Sequence, residues 1–250
     1  MAVLSELEPN KVFKYFEEIC SIPHGSNNVK QISDYLVDFA KAHNLKCRQD
    51  DDLNVIIWKD GSKGYEDSEP VILQGHMDMV AVQEADCKKD MEKEGLDLEI
   101  NGDFISAKGT SLGGDDGIAV AYTLAVLDDE EMAHPPVEAI FTVNEEIGML
   151  GAASIDVSDL KGRLFMNMDS EDEGVFTVSC AGGASVICKI PYKRDLVNAP
   201  VIEIKLHGFT GGHSGVEIIK ERANSNCAMA RVLLNVFQNV GMRLVSVNGG

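Results

Sequence analysis

Two short apolar runs, VILQ at 71–74 and VEAIFTV at 137–143, do most to limit what this chain can become. Both are strand-sized, far short of the roughly 18 residues that cross a bilayer. Helix-like stretches are interleaved with them. Residues 9–20 carry Val12, Phe13, Phe16 and Ile19 at helical spacing, with Pro9 near the start, where its missing N–H costs nothing. IPHGSNN at 22–28 breaks that helix, and a second is predicted over 29–43 with Ile32, Leu36, Phe39 and Ala40 on one face. Further strands are predicted at 53–58, 71–73, 164–168 and 174–179. A hairpin is predicted with arms 98–100 and 104–106 around Asn101-Gly102, and a helix over about 118–127 follows the glycine-rich GTSLGGDDG. Strands alternating with helices predict an α/β fold, a mixed, largely parallel sheet flanked by helices.

The pattern changes after CAGG at 180–183. Half-exposed strands are predicted at 185–190 and 201–206, then one long helix over 216–240 with Ile219, Ala223, Cys227, Ala230, Leu233, Leu234 and Phe237 facing inward. Two strands and a helix make a poor independent core. Residues 183–250 are therefore expected to form part of an α+β domain beside a first domain at 1–182.

Charge narrows the partners. Lys and Arg number 22 against 41 Asp and Glu, a net charge of −19. That balance disfavours nucleic acid and anionic lipid, both of which are bound mainly through Lys and Arg. Acidic clusters can still hold hard or borderline cations. The N-terminus lacks a basic segment followed by an apolar one, so no secretory signal is expected. The six cysteines form no CxxC pair and read as reduced thiols, which points to the cytoplasm.

Four motifs stand at the ends of predicted strands or open a helix. In open α/β sheets, ligands bind beyond the carboxyl ends of the strands. GHMD at 75–78 follows the first apolar run, and in extended chain His76 and Asp78 point to one side. The pair suits a metal-ligating imidazole with a carboxylate behind it; a buried histidine with a bonded aspartate is the plainer alternative. GGDDG at 113–117 offers paired carboxylates that can bind a cation or cap the helix. In NEEIG at 144–148, one glutamate can face a metal while its neighbour reaches a bound water; a solvated acidic loop is the plainer alternative. In MDSEDEG at 168–174, Asp169 is the first polar residue past the strand, whereas Glu171, Asp172 and Glu173 read as a solvated charge run. One histidine and carboxylates without cysteine suit zinc, manganese or cobalt.

Taken in order, HMD, GTSLGGDDG, FTVNEEIGMLGA, MDSEDEG and GFTGGHSG closely resemble the aminoacyl-histidine dipeptidases (Xaa-His dipeptidases), within the larger aminoacylase and carboxypeptidase-G group of dinuclear zinc hydrolases. The resemblance implies a catalytic domain at 1–182, a partial lid at 183–250, and two divalent ions, zinc foremost with manganese or cobalt possible. It implies that His76 and Asp169 ligate the first ion, Glu146 the second, and that Asp115 bridges them. Glu145 is implied as the general base, Asp78 as the partner orienting His76, and His213 as the lid histidine that stabilises the oxyanion. The Asp115–Asp116 bond is expected to be cis. Gly114, Asp115 and Asp116 replace the Ala-Asp-Asn of many Xaa-His relatives, a mild departure. His24, His43, His134 and His207 match no role.

Chains of that family are nearly twice as long and complete the second metal site with a histidine near their C-terminus. Against them, these 250 residues read as an N-terminal portion, its second site short by one ligand and its activity impaired when alone. The expected activity is hydrolysis of a dipeptide with C-terminal His. An amide hydrolase or deacylase on another small substrate would use the same machinery, and a fragment that binds metal without turnover is the other alternative. A homodimer is left open.

Overall fold

A computed structural model describes residues 3–170, 174–179, 182, 184, 186–212 and 217–249. The chain forms two compact units, Met1–Glu173 and Gly174–Gly250. The first holds helices α1 (Asn10–Cys20), α2 (Lys30–Ala42), α3 (Gly114–Asp128) and the short α4 (Leu150–Ser154). Its strands are β1 (Lys46–Gln49), β2 (Val55–Lys59), β3 (Val71–His76), β4 (Leu98–Asn101), β5 (Phe104–Ala107), β6 (Val137–Thr142) and β7 (Leu164–Asn167). The main sheet has five strands in the order β1-β2-β6-β3-β7. β3 pairs in parallel with both β6 and β7, while β2 runs antiparallel to β6 and β1. Four strands thus point one way and β2 alone opposes them, the mixed and largely parallel α/β sheet that the alternation of elements predicts. β4 and β5 form the separate hairpin.

Burial explains these elements. β6 is buried at every position, as befits the central strand of a covered sheet. On α1, Val12, Tyr15, Phe16, Ile19 and Cys20 make one buried stripe; on α2, Ile32, Ser33, Leu36, Phe39 and Ala40 do the same. α3 is apolar around most of its circumference and sinks Ala119, Val120, Ala121, Leu124 and Leu127 into the same core. Its C-terminal carbonyls are met by the Lys59 ammonium, which donates to the Val126 and Asp129 carbonyls. Because β3, β6 and β7 are parallel, their C-terminal ends share one edge of the sheet, and α3 opens at that edge.

Some local expectations need correction. β1 has no signal in the sequence because KCRQ lacks apolar alternation, and α4 has none because five residues carry too little periodicity. The strand predicted from Leu53 starts two residues later, since Leu53 has φ 75° and turns the chain.

The second unit departs further. No strand forms among its described residues, which include 174–179, 186–190 and 201–206 of the predicted strands; residue 185 lies outside them. Two strands sharing a single ladder cannot bury enough surface to hold together, and Val186 and Ile187 stay 82% and 83% exposed. The single long helix is instead a 3₁₀ turn, Ile218–Lys220, and a helix α5, Ser225–Asn239. Glu221 at φ 48° interrupts them, and Asn224 caps α5 by accepting the Cys227 N–H at 2.9 Å. Ile219 and Phe237, predicted to face inward, are 83% and 59% exposed.

Candidate metal centre

His76 is the last residue of β3 and is buried. Its ring is fixed at Nδ1, which donates to the Asp78 carbonyl oxygen at 2.9 Å, with the Asp78 carboxylate 3.5 Å away. Nε2 is thereby left facing Asp115 Oδ1 at 3.1 Å and Glu145 Oε2 at 3.9 Å. A histidine held by one nitrogen and presenting the other is the usual form of a metal ligand.

The acidic residues arrive from α3 and from the loop after β6. Gly75 lets the first turn of α3 come close: a Cβ there would lie 2.8 Å from both Ala119 Cβ and Asp116 Oδ2. Asp116 is buried and accepts the His76 backbone N–H at 3.2 Å. Asp115 and Asp116 have non-helical backbone angles, and the peptide bond between them is cis, so regular helix begins only past Asp116. The Asp115 side chain is 65% exposed and faces the open edge. After β6, Asn144 turns the chain at φ 55° and delivers Glu145 and Glu146, both half-buried. Asp169, just past β7, is exposed at the same edge.

Crowded carboxylates set the electrostatics. Burial pushes the Asp116 carboxyl up to about 7, helped by the charges of Asp169 and Asp115 and opposed by His76. Burial also raises Glu145 and Glu146, with neighbouring carboxylates adding to it. Burial alone would lower the His76 imidazole, but Asp115, Asp78 and Asp116 together lift it to about 11. Asp78 is held below its ordinary value despite burial, because His76, the Glu145 N–H and the Ser26 hydroxyl all favour its charged form. The excess negative charge around one imidazole is what a divalent cation would neutralise.

The donor set fits such an ion. Among the described residues, His76, Asp115 and Glu146 bring one ligand atom each to within 4.8 Å of one another. One imidazole and two carboxylates suit zinc, manganese or cobalt. Of the residues singled out in the sequence, His76, Asp78, Asp115, Glu145 and Glu146 lie together. Asp169 stands beside them, felt electrostatically by Asp116 and Glu145. His213 lies outside the described residues, as does the charge run Glu171, Asp172 and Glu173. Two participants have roles that the motifs alone do not declare. Ser26, in the loop after α1, donates to Asp78 Oδ2 at 2.8 Å, and Asn144 accepts the Asn27 N–H at 2.7 Å. For Ser26 the only hint is the density of small polar residues in GSNN, whereas Asn144 opens the NEEIG motif but is overshadowed there by its two glutamates.

No protein-family model matches the chain. A tripeptidase from Staphylococcus aureus shares the fold with a TM-score of 0.56 at 21% identity, over 66% of this chain and 44% of its own. This is the fold of the M20-type peptidases. Nearer relatives sharpen the assignment. The chain is 37% identical over 252 residues to the cytosol non-specific dipeptidase of Escherichia coli (strain K12), covering 100% of this chain and 52% of the relative. It matches the aminoacylhistidine dipeptidase of Vibrio alginolyticus with a TM-score of 0.68 at 33% identity, over 97% of this chain and 50% of that one. In sequence and fold the chain is similar to peptidases of the M20 type, and it spans about half the length of these relatives.

Proposed function

We propose that this chain provides the metal-binding part of a cytoplasmic dipeptidase, acting on small unblocked dipeptides that include those with C-terminal His. The observation that carries the reading is the convergence of His76, Asp115 and Glu146 at the sheet edge, with Glu145 beside them. Support for the substrate class comes from the two nearer relatives, one named a non-specific dipeptidase and the other an aminoacylhistidine dipeptidase.

His76, Asp115, Glu146 and Asp169 would hold two divalent ions, zinc foremost. Metal bound there supplies Lewis-acid polarisation of a carbonyl and a water of lowered pKa. The chain's own groups do the rest. Glu145 takes a proton from the attacking water and hands it to the leaving amine. Its carboxyl is raised by burial and by neighbouring carboxylates, so it takes up that proton more readily than an ordinary carboxylate. Asp78 accepts the backbone N–H of Glu145 at 3.0 Å and flanks His76, so one carboxylate supports both base and ligand. His213 is assigned the oxyanion, by the resemblance of GGHSG to the lid motif. A catalytic domain at 1–182 and a partial lid at 183–250 complete the proposal.

The test compares Glu145→Ala with Glu146→Ala in this chain and in a form extended to the relatives' length. Glu145→Ala is expected to abolish turnover and keep the metal, and Glu146→Ala to lose metal. The reverse pattern would exchange the two roles. Preference for N-acyl amino acids over a dipeptide panel would replace the dipeptidase reading with that of a deacylase.

A further inference from the structure

The loop at 22–28 touches both segments that supply the metal centre. Its backbone pairs with the residues after His76: the Met79 N–H donates to the His24 carbonyl at 3.1 Å, and the Ser26 N–H returns to the Met79 carbonyl at 3.2 Å. Two further bonds reach past the backbone. The Ser26 hydroxyl donates to Asp78 Oδ2 at 2.8 Å, while Asp78 Oδ1 accepts the Glu145 N–H at 3.0 Å. One residue on, the Asn27 N–H donates to the Asn144 side-chain oxygen at 2.7 Å. Asn144 is the residue whose left-handed φ of 55° aims Glu145 and Glu146. The loop therefore grips the carboxylate behind His76 with one residue and the turn before the two glutamates with the next. Gly25 makes the close fit feasible, since a Cβ there would stand 2.8 Å from Ala81 Cβ.

Resting on the metal-site reading above, we infer that Ser26 and Asn144 are positioning residues, a two-point bracket that fixes the separation of His76 from Glu145 and Glu146. Neither side chain is assigned to metal or substrate. Groups that orient metal ligands from behind typically change affinity or activity by about 10–100-fold when removed. Ser26 acts one step further back, through Asp78, so about tenfold is expected.

The test is cobalt binding by this chain, read by competition with a chromophoric chelator and by the visible ligand-field band of the bound ion. Ser26→Ala and Asn144→Ala are each expected to weaken cobalt about tenfold and to shift the band. Ser26→Thr and Asn144→Asp, which keep the hydroxyl and the acceptor oxygen, are expected to restore both. The double alanine variant is expected to lose less than the product of the singles, because one bracket is broken only once. A general loss of stability would lower affinity without the band shift or the conservative rescue. Parent-like affinity and band in both alanine variants would overturn the bracket and leave the metal-site reading standing. A parent chain that binds no cobalt would overturn the metal-site reading itself, and the bracket with it.

Discussion

At the scale of single residues, the site depends on space as much as on charge. Gly75 has no catalytic atom, yet it lets Asp116 and Ala119 pack against β3. Gly75→Ala is expected to destabilise the chain by about 1–3 kcal/mol, the usual range for overpacking a tight core. It should weaken zinc binding as well, since α3 carries Asp115. Urea unfolding with a parallel zinc titration checks both; an unchanged midpoint would mean that α3 can shift without cost. The sequence made the donors legible because His76, Asp115, Glu145 and Glu146 stand in short motifs directly after strands or before a helix. It hid Ser26, which meets Asp78 across 52 positions of sequence through a loop whose residue types are ordinary for any turn.

Among the elements, β7 shows how a buried carboxylate can serve architecture. Glu138 sits on β6, is buried, and accepts N–H groups from Lys161 and Gly162, all at 2.9–3.0 Å. These bonds tie down the segment leading into β7 and hence the register of β7 on β3. Glu138→Ala leaves those donors unsatisfied and is expected to cost roughly 2–3 kcal/mol. Faster hydrogen exchange at the β7 amides, with β6 protected as before, is the expected signature. Exchange that stayed slow would assign the register to the Val71–Leu164 ladder alone. Strands β3 and β6 were readable from their apolar runs because burial itself writes that pattern. β1 was not, because an edge strand with KCRQ has no buried face to declare. The strands expected in the second unit failed for a related reason: alternation describes a strand's preference, but only partners satisfy its backbone.

At the scale of the whole molecule, the carboxylate cluster ties stability to pH and metal. Asp116 titrates at about 7 in the folded chain against an ordinary 3.8, and His76 at about 11 against 6.5. Both folded values are raised. Asp116's contribution is whole below pH 3.8 and is lost as pH rises through about 7; that of His76 is whole below 6.5 and is lost through about 11. Asp78 has the opposite sign, but its loss lies in the acid range below 3.8. In chelator, the thermal midpoint is therefore expected to fall between about pH 6 and pH 9, and zinc to offset the fall increasingly as pH rises. Scanning calorimetry with EDTA and with zinc checks this; a midpoint flat in pH without metal would show that the cluster relaxes when the protons leave.

The shared edge of β3, β6 and β7 has one more consequence, for how such a molecule can change over generations. His76 ends β3 and Asp115 opens α3, but Glu145, Glu146 and Asp169 hang from connections, while the strands carry the register and the core. Substitutions at the exposed Ile147 and Met149, next to Glu145 and Glu146, can alter the surroundings of the site without disturbing a ladder. A combinatorial library there should yield altered substrate preference with melting behaviour intact, whereas an equal library spread over β3 and β6 should yield mostly unfolded chains. Chemistry and scaffold are separately heritable in this arrangement.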